Sequence, residues 1–367
     1  MRIFLFSSII LGFVGWNDVW RSSPSNQPKT CREHTSFKAL AGTPLKLSKP
    51  TPPARAFEPQ IANRIPASNL TLIDNSITAS NPLTALQNYL QKLADSLHAE
   101  IGVAFRDLET GREFFFNERQ MMHAASTMKV PVMIEVFRQA EKGRTPKFHL
   151  EDSLLIKNEF KSIVDGSPYH LDLSDDSDSS IYRAIGARMT IRQLVESMIT
   201  VSSNLATNIL IELAGAENVM ATLRELGVKN MQVRRGVEDT KAYQRGLNNQ
   251  TDAFDLMLTL QAIAEKRAAS PMACDSMLAI LQRQKFRDGI PVGLPSGAVV
   301  ANKTGWITGI THDGAIVFPE KQVSSDKPHQ PYVLVVLTKG IQEKKSAQRF
   351  IAAISSKIYS ALRSAKL

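Results

Sequence analysis

The segment HAASTMKVPVMIEVF, residues 123–137, places a hydroxyl and an amine at the start of an otherwise apolar helix. Ser126 and Lys129 are three residues apart, so on a helix both lie on one face and the amine can reach the hydroxyl. A serine hydroxyl is a weak nucleophile until a base removes its proton. Burial and the positive end of a helix dipole disfavour a charged lysine, which would let Lys129 be that base. Taken alone, the pair is equally typical of a helix N-cap followed by a lysine that reaches solvent.

Two later segments carry residues of matching chemistry. TVSSNLATNILIEL offers Ser202 and Asn204 just before an apolar helix, 76 residues after Ser126. VVANKTGWITG ends a β-branched run with a Lys-Thr-Gly triplet at residues 303–305. Each motif alone is common, as a helix cap or as a turn. Their order, and the type of element that carries each of them, together indicate a catalytic constellation.

With these three motifs the sequence resembles the serine β-lactamase and penicillin-binding protein superfamily, and within it the class A β-lactamases. The resemblance covers about residues 83–365. It implies that Ser126 is acylated, that Lys129 accepts its proton, and that Ser202 passes a proton to the leaving nitrogen. The oxyanion hole would come from the backbone N–H groups of Ser126 and Trp306. The implied substrate-binding residues are Asn204, Lys303, Thr304, Gly305 and Trp306.

The sequence departs from the class A pattern where the base for deacylation is expected. Class A enzymes carry a loop glutamate in an E-x-x-L-N pattern, but here the residue three before Leu247 is Gln244, which cannot act as a base. We assign the role to Glu238, with Asp239 as the alternative, and both acids could instead pair with the arginines that precede them. Ser203 stands where class A enzymes usually have Asp. Without a well-placed base the acyl-enzyme would form but persist.

The elements that must position these residues follow from the periodicity of apolar residues. LTALQNYLQKLADSLH has the spacing of an amphipathic helix, and two strand-like runs follow around the turn signal at residues 109–111. β-branched runs return at 297–305, 313–319 and 332–340, and an amphipathic helix covers 349–363. The middle of the chain is mostly helical, at 130–140, 191–199, 205–213, 219–226, 253–264 and 277–281.

Strands at both ends with helices between them predict an α+β fold. The terminal strands would form one antiparallel sheet flanked by the first and last helices, as in a three-layer α/β/α arrangement, with an all-helical insertion at about 130–272. This is also the class A β-lactamase or transpeptidase-like fold that the resemblance implies. A cleft between the two parts is the natural place for a site.

The N-terminal region predicts export. An apolar stretch at residues 3–14 follows a single arginine and is too short to span a bilayer, but it fits a signal-peptide core, so 1–20 is a signal peptide or an uncleaved membrane anchor. Residues 21–82 are rich in Ser, Pro, Thr and Asn and are predicted to be a disordered linker before the catalytic domain at 83–367. We expect a periplasmic or extracellular protein, with membrane association through this segment as the alternative.

Composition and spacing exclude several other functions. The net charge is +9, but residues 1–82 hold nine basic and four acidic groups, so the folded part is only mildly basic and no nucleic-acid-binding face is expected. The two cysteines form no disulfide framework, the seven histidines lack metal-ligand spacing, and no G-x-S-x-G elbow occurs. The acidic segment 172–180 is predicted to be a solvated loop.

The predicted function is therefore that of a serine hydrolase that opens β-lactams through a Ser126 acyl-enzyme, without a cofactor or a metal. We expect a monomer whose partner is a small β-lactam or an acyl-peptide. The alternatives on the same fold are a D-alanyl-D-alanine carboxypeptidase or esterase, and a penicillin-binding sensor that is acylated without turnover.

Overall fold

The computed structural model describes residues 82–141, 143, 146–320 and 331–364. The predicted signal peptide or anchor and nearly all of the predicted linker lie outside these residues, so both stay predictions. Within the described residues, no helix is long and apolar enough to span a membrane.

A five-stranded antiparallel sheet forms the centre of the fold, with the strand order β2-β1-β11-β10-β9. The first and last segments of the described chain therefore meet in one sheet, as the sequence predicted. β9 is the edge strand, and it pairs with β10 in a register that sets Lys303 opposite Gly314 and Trp306 opposite Thr311. The strands are β1 (Glu100–Asp107), β2 (Glu113–Phe116), β9 (Val299–Ile307), β10 (Ile310–Phe318) and β11 (Tyr332–Lys339).

Both faces of the sheet are buried, so its central strands are apolar almost throughout instead of alternating. One face packs against the first helix, α1 (Pro82–Leu97), and the last, α10 (Lys344–Ser364). Alternate residues of β11 face opposite sides of the sheet and so belong to two different cores. Leu334 and Val336 belong to the core between the sheet and these two helices. Val335 and Leu337 face the larger core of the helical part.

Eight helices lie between β2 and β9 in the described chain. The long ones match the predicted helices to within three residues, except that the last begins six residues before the predicted 277–281. Three long helices begin at side-chain caps that the sequence supplies: Thr190 with Gln193 forms a capping box, Asp252 caps α8, and Ser270 precedes a proline at the first turn of α9. The helices are α2 (Lys129–Glu141), α3 (Ser179–Arg183), α4 (Ile191–Thr200), α5 (Asn204–Ala214), α6 (Ala216–Glu225), α7 (Thr240–Gln244), α8 (Ala253–Ala264) and α9 (Pro271–Gln282).

The elements that the sequence did not predict are short. α3 and α7 have five residues each, and three pairs of two- or three-residue strands join loops to one another. They are too short to give a periodic apolar pattern. The strand pairs are β3 (Met122–His123) with β8 (Gln250–Thr251), β4 (Ser153–Leu155) with β7 (Arg188–Thr190), and β5 (Phe160–Lys161) with β6 (Pro168–Tyr169).

Candidate active site

The candidate nucleophile Ser126 lies in a 3-10 turn, Ala125–Met128, that leads directly into α2. Residues three apart eclipse one another in such a turn, so Ser126 and Lys129 lie on the same side of the chain. Ala125 has a φ of +45°, in the left-handed region that is costly for alanine. Its N–H donates to Nδ1 of His123 at 3.0 Å. The turn therefore holds a strained conformation with local hydrogen bonds, as is common at functional sites.

Lys129 is completely buried, and oxygen atoms of one segment surround its amine. Burial lowers the pKa of Lys129 to about 7, although the charges of Asp176 and Glu238 oppose this shift. An amine with this pKa is partly neutral near pH 7, and its neutral form can accept a proton. The acceptors around Nζ are the Ser202 carbonyl at 2.6 Å, Asn204 Oδ1 at 2.9 Å, Ser202 Oγ at 3.2 Å and the Ser203 carbonyl at 3.4 Å.

Asp176 fixes the segment that surrounds Lys129. Its Oδ2 accepts hydrogen bonds from the N–H groups of Asn204 at 2.9 Å and Leu205 at 2.8 Å, which are orphan donors at the start of α5. Ser203 caps the same helix by accepting from a backbone N–H in its first turn. Ser202 has a φ of +61°, and this sharp turn directs both its carbonyl and its hydroxyl toward the amine.

Lys303 places a second buried amine on the other side of Ser202. Its Nζ donates to Ser202 Oγ at 3.0 Å and to the Thr304 carbonyl at 2.8 Å. Burial and the nearby charge of Lys129 lower the pKa of Lys303 well below its usual value, while Asp313 opposes them. The Ser202 hydroxyl therefore bridges two amines, and a proton can pass along this chain.

Gly305 allows the edge strand β9 to approach the nucleophile turn. A Cβ atom at this position would lie 3.1 Å from the backbone nitrogens of both Ser126 and Thr127, which is closer than ordinary contact. Glycine is the residue used where two backbones must approach closely. The next residue, Trp306, is 49% exposed at the mouth of the site.

The predicted residues meet in a cleft of about 420 Å³. Lys129 and Lys303 are buried and do not line the cleft, but both amines are hydrogen-bonded to the hydroxyl of Ser202, which does. Glu238 does not line the cleft and is connected to it through Asn204. The predicted site residues that line the cleft are Ser126, Ser202, Asn204, Thr304, Gly305 and Trp306.

His312 supports the nucleophile turn from β10. Its Nδ1 accepts from the N–H of Thr338 at 3.2 Å, so Nε2 carries the proton and donates to the His123 carbonyl at 2.9 Å. Burial lowers the pKa of His312 to about 4. Burial and the charge of Arg235 lower that of His123 to about 4. Both histidines are thus neutral supports at pH 7.

The loop at 234–249 is closed at its neck by backbone and side-chain hydrogen bonds. Gln232 and Gln250 exchange two backbone bonds of 2.8 and 3.0 Å. The Asn249 side chain accepts from the N–H of Arg234 and donates to the carbonyl of Arg235, at 2.8 and 2.9 Å. The Asn249 carbonyl also accepts from the N–H before the nucleophile turn at 2.9 Å. A compact loop with a closed neck is an Ω-loop, and this one is anchored to the turn that carries Ser126.

Two asparagines one turn apart on α5 bind the part of this loop that carries Glu238. Asn204 Nδ2 donates to Glu238 Oε1 at 2.8 Å, so the amide of Asn204 connects Glu238 to Lys129. Asn208 binds the backbone of Val237, through an N–H···Oδ1 bond of 2.6 Å and an Nδ2···carbonyl bond of 3.1 Å. Glu238 is half-buried, and burial raises the pKa of its carboxyl group.

The structure separates Glu238 from the alternative base. Asp239 is buried away from the cleft, and it accepts from the Ser162 hydroxyl at 2.9 Å, the Ile163 N–H at 3.0 Å and the Ala242 N–H at 3.1 Å. These bonds cap α7 and tie the loop to the β5–β6 hairpin. Gln244, in the place of the motif glutamate, is exposed at the end of α7. Of these acids, Glu238 is the one joined through Asn204 to Lys129.

Several supporting residues were not identified from the sequence. Asp176 lies in the acidic segment predicted to be a solvated loop, and most of that segment is exposed, but the Asp176 side chain turns toward α5. Asn208 follows Asn204 by four residues, a spacing that puts both on one helix face and could have indicated a shared partner. No group of three or more His, Cys, Asp or Glu side chains in the described part of the chain could hold a metal ion.

The fold is an antiparallel sheet with a helical part, and the S-x-x-K, S-x-N and K-T-G residues form a buried cluster between the two. This combination defines the class of penicillin-recognising serine enzymes. The model of the β-lactamase enzyme family matches residues 85–362, and the chain belongs to this family.

Similar proteins support the same assignment at low identity. A β-lactamase of Bacillus licheniformis is 24% identical over 75% of this chain and 84% of its own length. A β-lactamase of Rhodobacter capsulatus is 28% identical over 47% of this chain, a match that spans about half (54%) of that relative. The solved structure of PBP-A is 25% identical, with a TM-score of 0.64 over 78% of this chain and 99% of PBP-A. A mutant of PBP-A has been solved as an acyl-enzyme complex with penicillin G.

Asp239→Ala should destabilise the protein, because it leaves three donors without their acceptor, two of them buried. We expect a loss of on the order of 2–4 kcal/mol in the free energy of unfolding, measured by urea denaturation. The matched control is Asp165→Ala, which removes an exposed ion pair with Lys241 between the same hairpin and loop and should leave stability unchanged within error. Equal stability of Asp239→Ala and the wild type would contradict the structural role of Asp239.

Proposed function

We propose that the protein is a serine hydrolase that opens β-lactams through an acyl-enzyme on Ser126. The observation that carries this proposal is the Ser202 hydroxyl bound by two buried amines, Lys129 at 3.2 Å and Lys303 at 3.0 Å, at the cleft that contains Ser126. Because neither amine is in contact with a carboxylate within the described chain, both are suited to proton exchange more than to an ion pair.

Acylation would use this cluster as follows. Neutral Lys129 takes the proton of Ser126 as its Oγ attacks the lactam carbonyl, and the N–H groups of Ser126 and Trp306 stabilise the oxyanion. The C–N bond then breaks. The leaving nitrogen takes a proton from Ser202 Oγ, which is replenished from one of the two amines. The product is an ester between Ser126 and the opened lactam, and the active site has gained no net proton.

Deacylation requires a base for water, and we assign it to Glu238. Its carboxylate would take a proton from the water that attacks the ester, and the proton would return to Ser126 as the C–O bond breaks. Two features support this role: Glu238 is bound to Asn204 beside Lys129, and burial raises its pKa toward the working range of a base.

A second candidate is a penicillin-binding protein that is acylated without efficient turnover. It is favoured by the hydrogen bonds that already occupy both Glu238 oxygens, from Asn204 Nδ2 at 2.8 Å and from the Asp172 N–H at 3.3 Å. A carboxylate engaged in this way is less available to a water molecule. The similarity to PBP-A is compatible with this candidate.

Intact-mass spectrometry of the protein with a chromogenic cephalosporin separates the two candidates. A transient adduct with many turnovers per molecule supports the hydrolase. A stable one-to-one adduct contradicts it and supports the second candidate, and neither adduct nor product contradicts both. Ser126→Ala is the control, and a labelled adduct in this variant would overturn the assignment of the nucleophile.

Glu238→Gln should slow deacylation far more than acylation. The amide keeps an oxygen for Asn204 but cannot take a proton, so we expect the adduct to last ~10²–10⁴ times longer, the usual range for loss of a general base. The measurement is single-turnover mass spectrometry. The matched control is Gln244→Glu, which restores the acid of the class A motif at an exposed position and should leave turnover unchanged. A gain of turnover in the control, or an unchanged adduct lifetime in Glu238→Gln, would contradict the assignment.

A further inference from the structure

The cleft contains a cation that the mechanism above does not use. Lys344 is the first residue of α10 and lines the same cleft as Ser126 and Thr304. Its Nζ lies 4.7 Å from the centroid of the Trp306 ring and 5.9 Å from that of Phe286. Among the residues that line the cleft, Lys344 is the one lysine or arginine.

The ammonium group of Lys344 is available to a ligand. No ion pair within 4.0 Å joins it to a carboxylate in the part of the chain that the structure describes. The aromatic rings next to it hold its position, since a cation over an indole face is attracted by the ring quadrupole. A lysine without an ion pair at the wall of a cleft can bind an anion by a charge-assisted hydrogen bond. Lys344 is the cation of a cleft that Asp175, Asp176 and Asp313 also line.

Lys303, which the family resemblance implies as a substrate-binding residue, is poorly placed to supply a positive charge to a substrate carboxylate alone. Its Nζ is buried and already donates to Ser202 Oγ and to the Thr304 carbonyl. Burial and the charge of Lys129 also lower its pKa, so that its charged form is disfavoured. A carboxylate in this cleft would therefore meet a Lys303 amine that is already engaged in two hydrogen bonds, and an exposed Lys344 amine that has no ion pair among the described residues.

A hydroxyl group in the wall of the same cleft also lacks a partner. Thr311 stands opposite Trp306 in the β9–β10 register and lines the cleft. It is 5% exposed, and its Oγ1 has no hydrogen-bond partner among the described residues. Buried polar groups are normally satisfied, so an orphan hydroxyl at a cleft wall indicates a missing ligand or water.

We propose that Lys344, with the hydroxyls of Thr304 and Thr311, binds the carboxylate of the substrate. The β-lactams and acyl-peptides considered above carry such a carboxylate next to the leaving nitrogen. This inference rests on the proposed function and adds a specificity-determining residue from the last helix, outside the three motifs.

The test compares two substrates that differ in the carboxylate alone, benzylpenicillin and its methyl ester. Lys344→Gln should lower the second-order rate constant of acylation by about tenfold for benzylpenicillin, and by less than about twofold for the ester. Lys344→Arg should retain most of the wild-type rate because it keeps the charge. The matched control is Lys345→Gln, a neighbouring exposed lysine that does not line the cleft and should change neither rate.

Each other outcome has a distinct meaning. An equal loss for both compounds would show that Lys344 only supports Trp306 and would overturn the inference. Unchanged rates for both would overturn it as well. If neither compound acylates the wild type, the proposed function fails, and the inference that rests on it fails too. Melting temperatures of the variants, which alter an exposed side chain, verify that each one is folded.

Discussion

The rest of the site depends on the burial of the Lys129 amine among oxygen atoms that carry no full charge. Taking an ammonium out of water is expensive unless a carboxylate or several hydrogen bonds offset the cost. Here the acceptors are carbonyl, amide and hydroxyl oxygens of residues 202–204. They hold the amine in place without fixing its charge, so burial lowers its pKa to about 7. A carboxylate in direct contact would have raised that pKa and removed the base.

This constraint explains why the surrounding backbone is so firmly held. Ser202 must keep a positive φ for its carbonyl to face the amine, and the segment would relax without support. Asp176 supplies that support by binding the first N–H groups of α5. On the other side of Lys129, His312 and His123 fix the nucleophile turn as neutral hydrogen-bond partners. The strained residues of the site are thus each paired with a specific hydrogen bond.

Much of this arrangement could be predicted from the sequence, because the long elements carry strong periodic patterns. The helices at 191–200 and 253–264 and the strands at 299–307 and 332–339 were located to within about two residues. The motif residues were found because each stands at the end of such an element. The supporting residues were missed for a physical reason: Asp176 and Asn208 act through contacts between distant segments, which local patterns do not record. The loop with Glu238 was also ambiguous, because two adjacent acids look equivalent in sequence and only burial separates them.

The most direct test of this account is the pKa of Lys129 in the folded protein. Lysines labelled with ¹³C at Cε can be titrated by NMR, and the Lys129→Arg variant identifies the signal of Lys129. The account predicts a signal that titrates near pH 7, with the amine charged below that pH and neutral, and so able to act as a base, above it. A signal that stays in its charged form up to about pH 10, the ordinary value for lysine, would contradict the account.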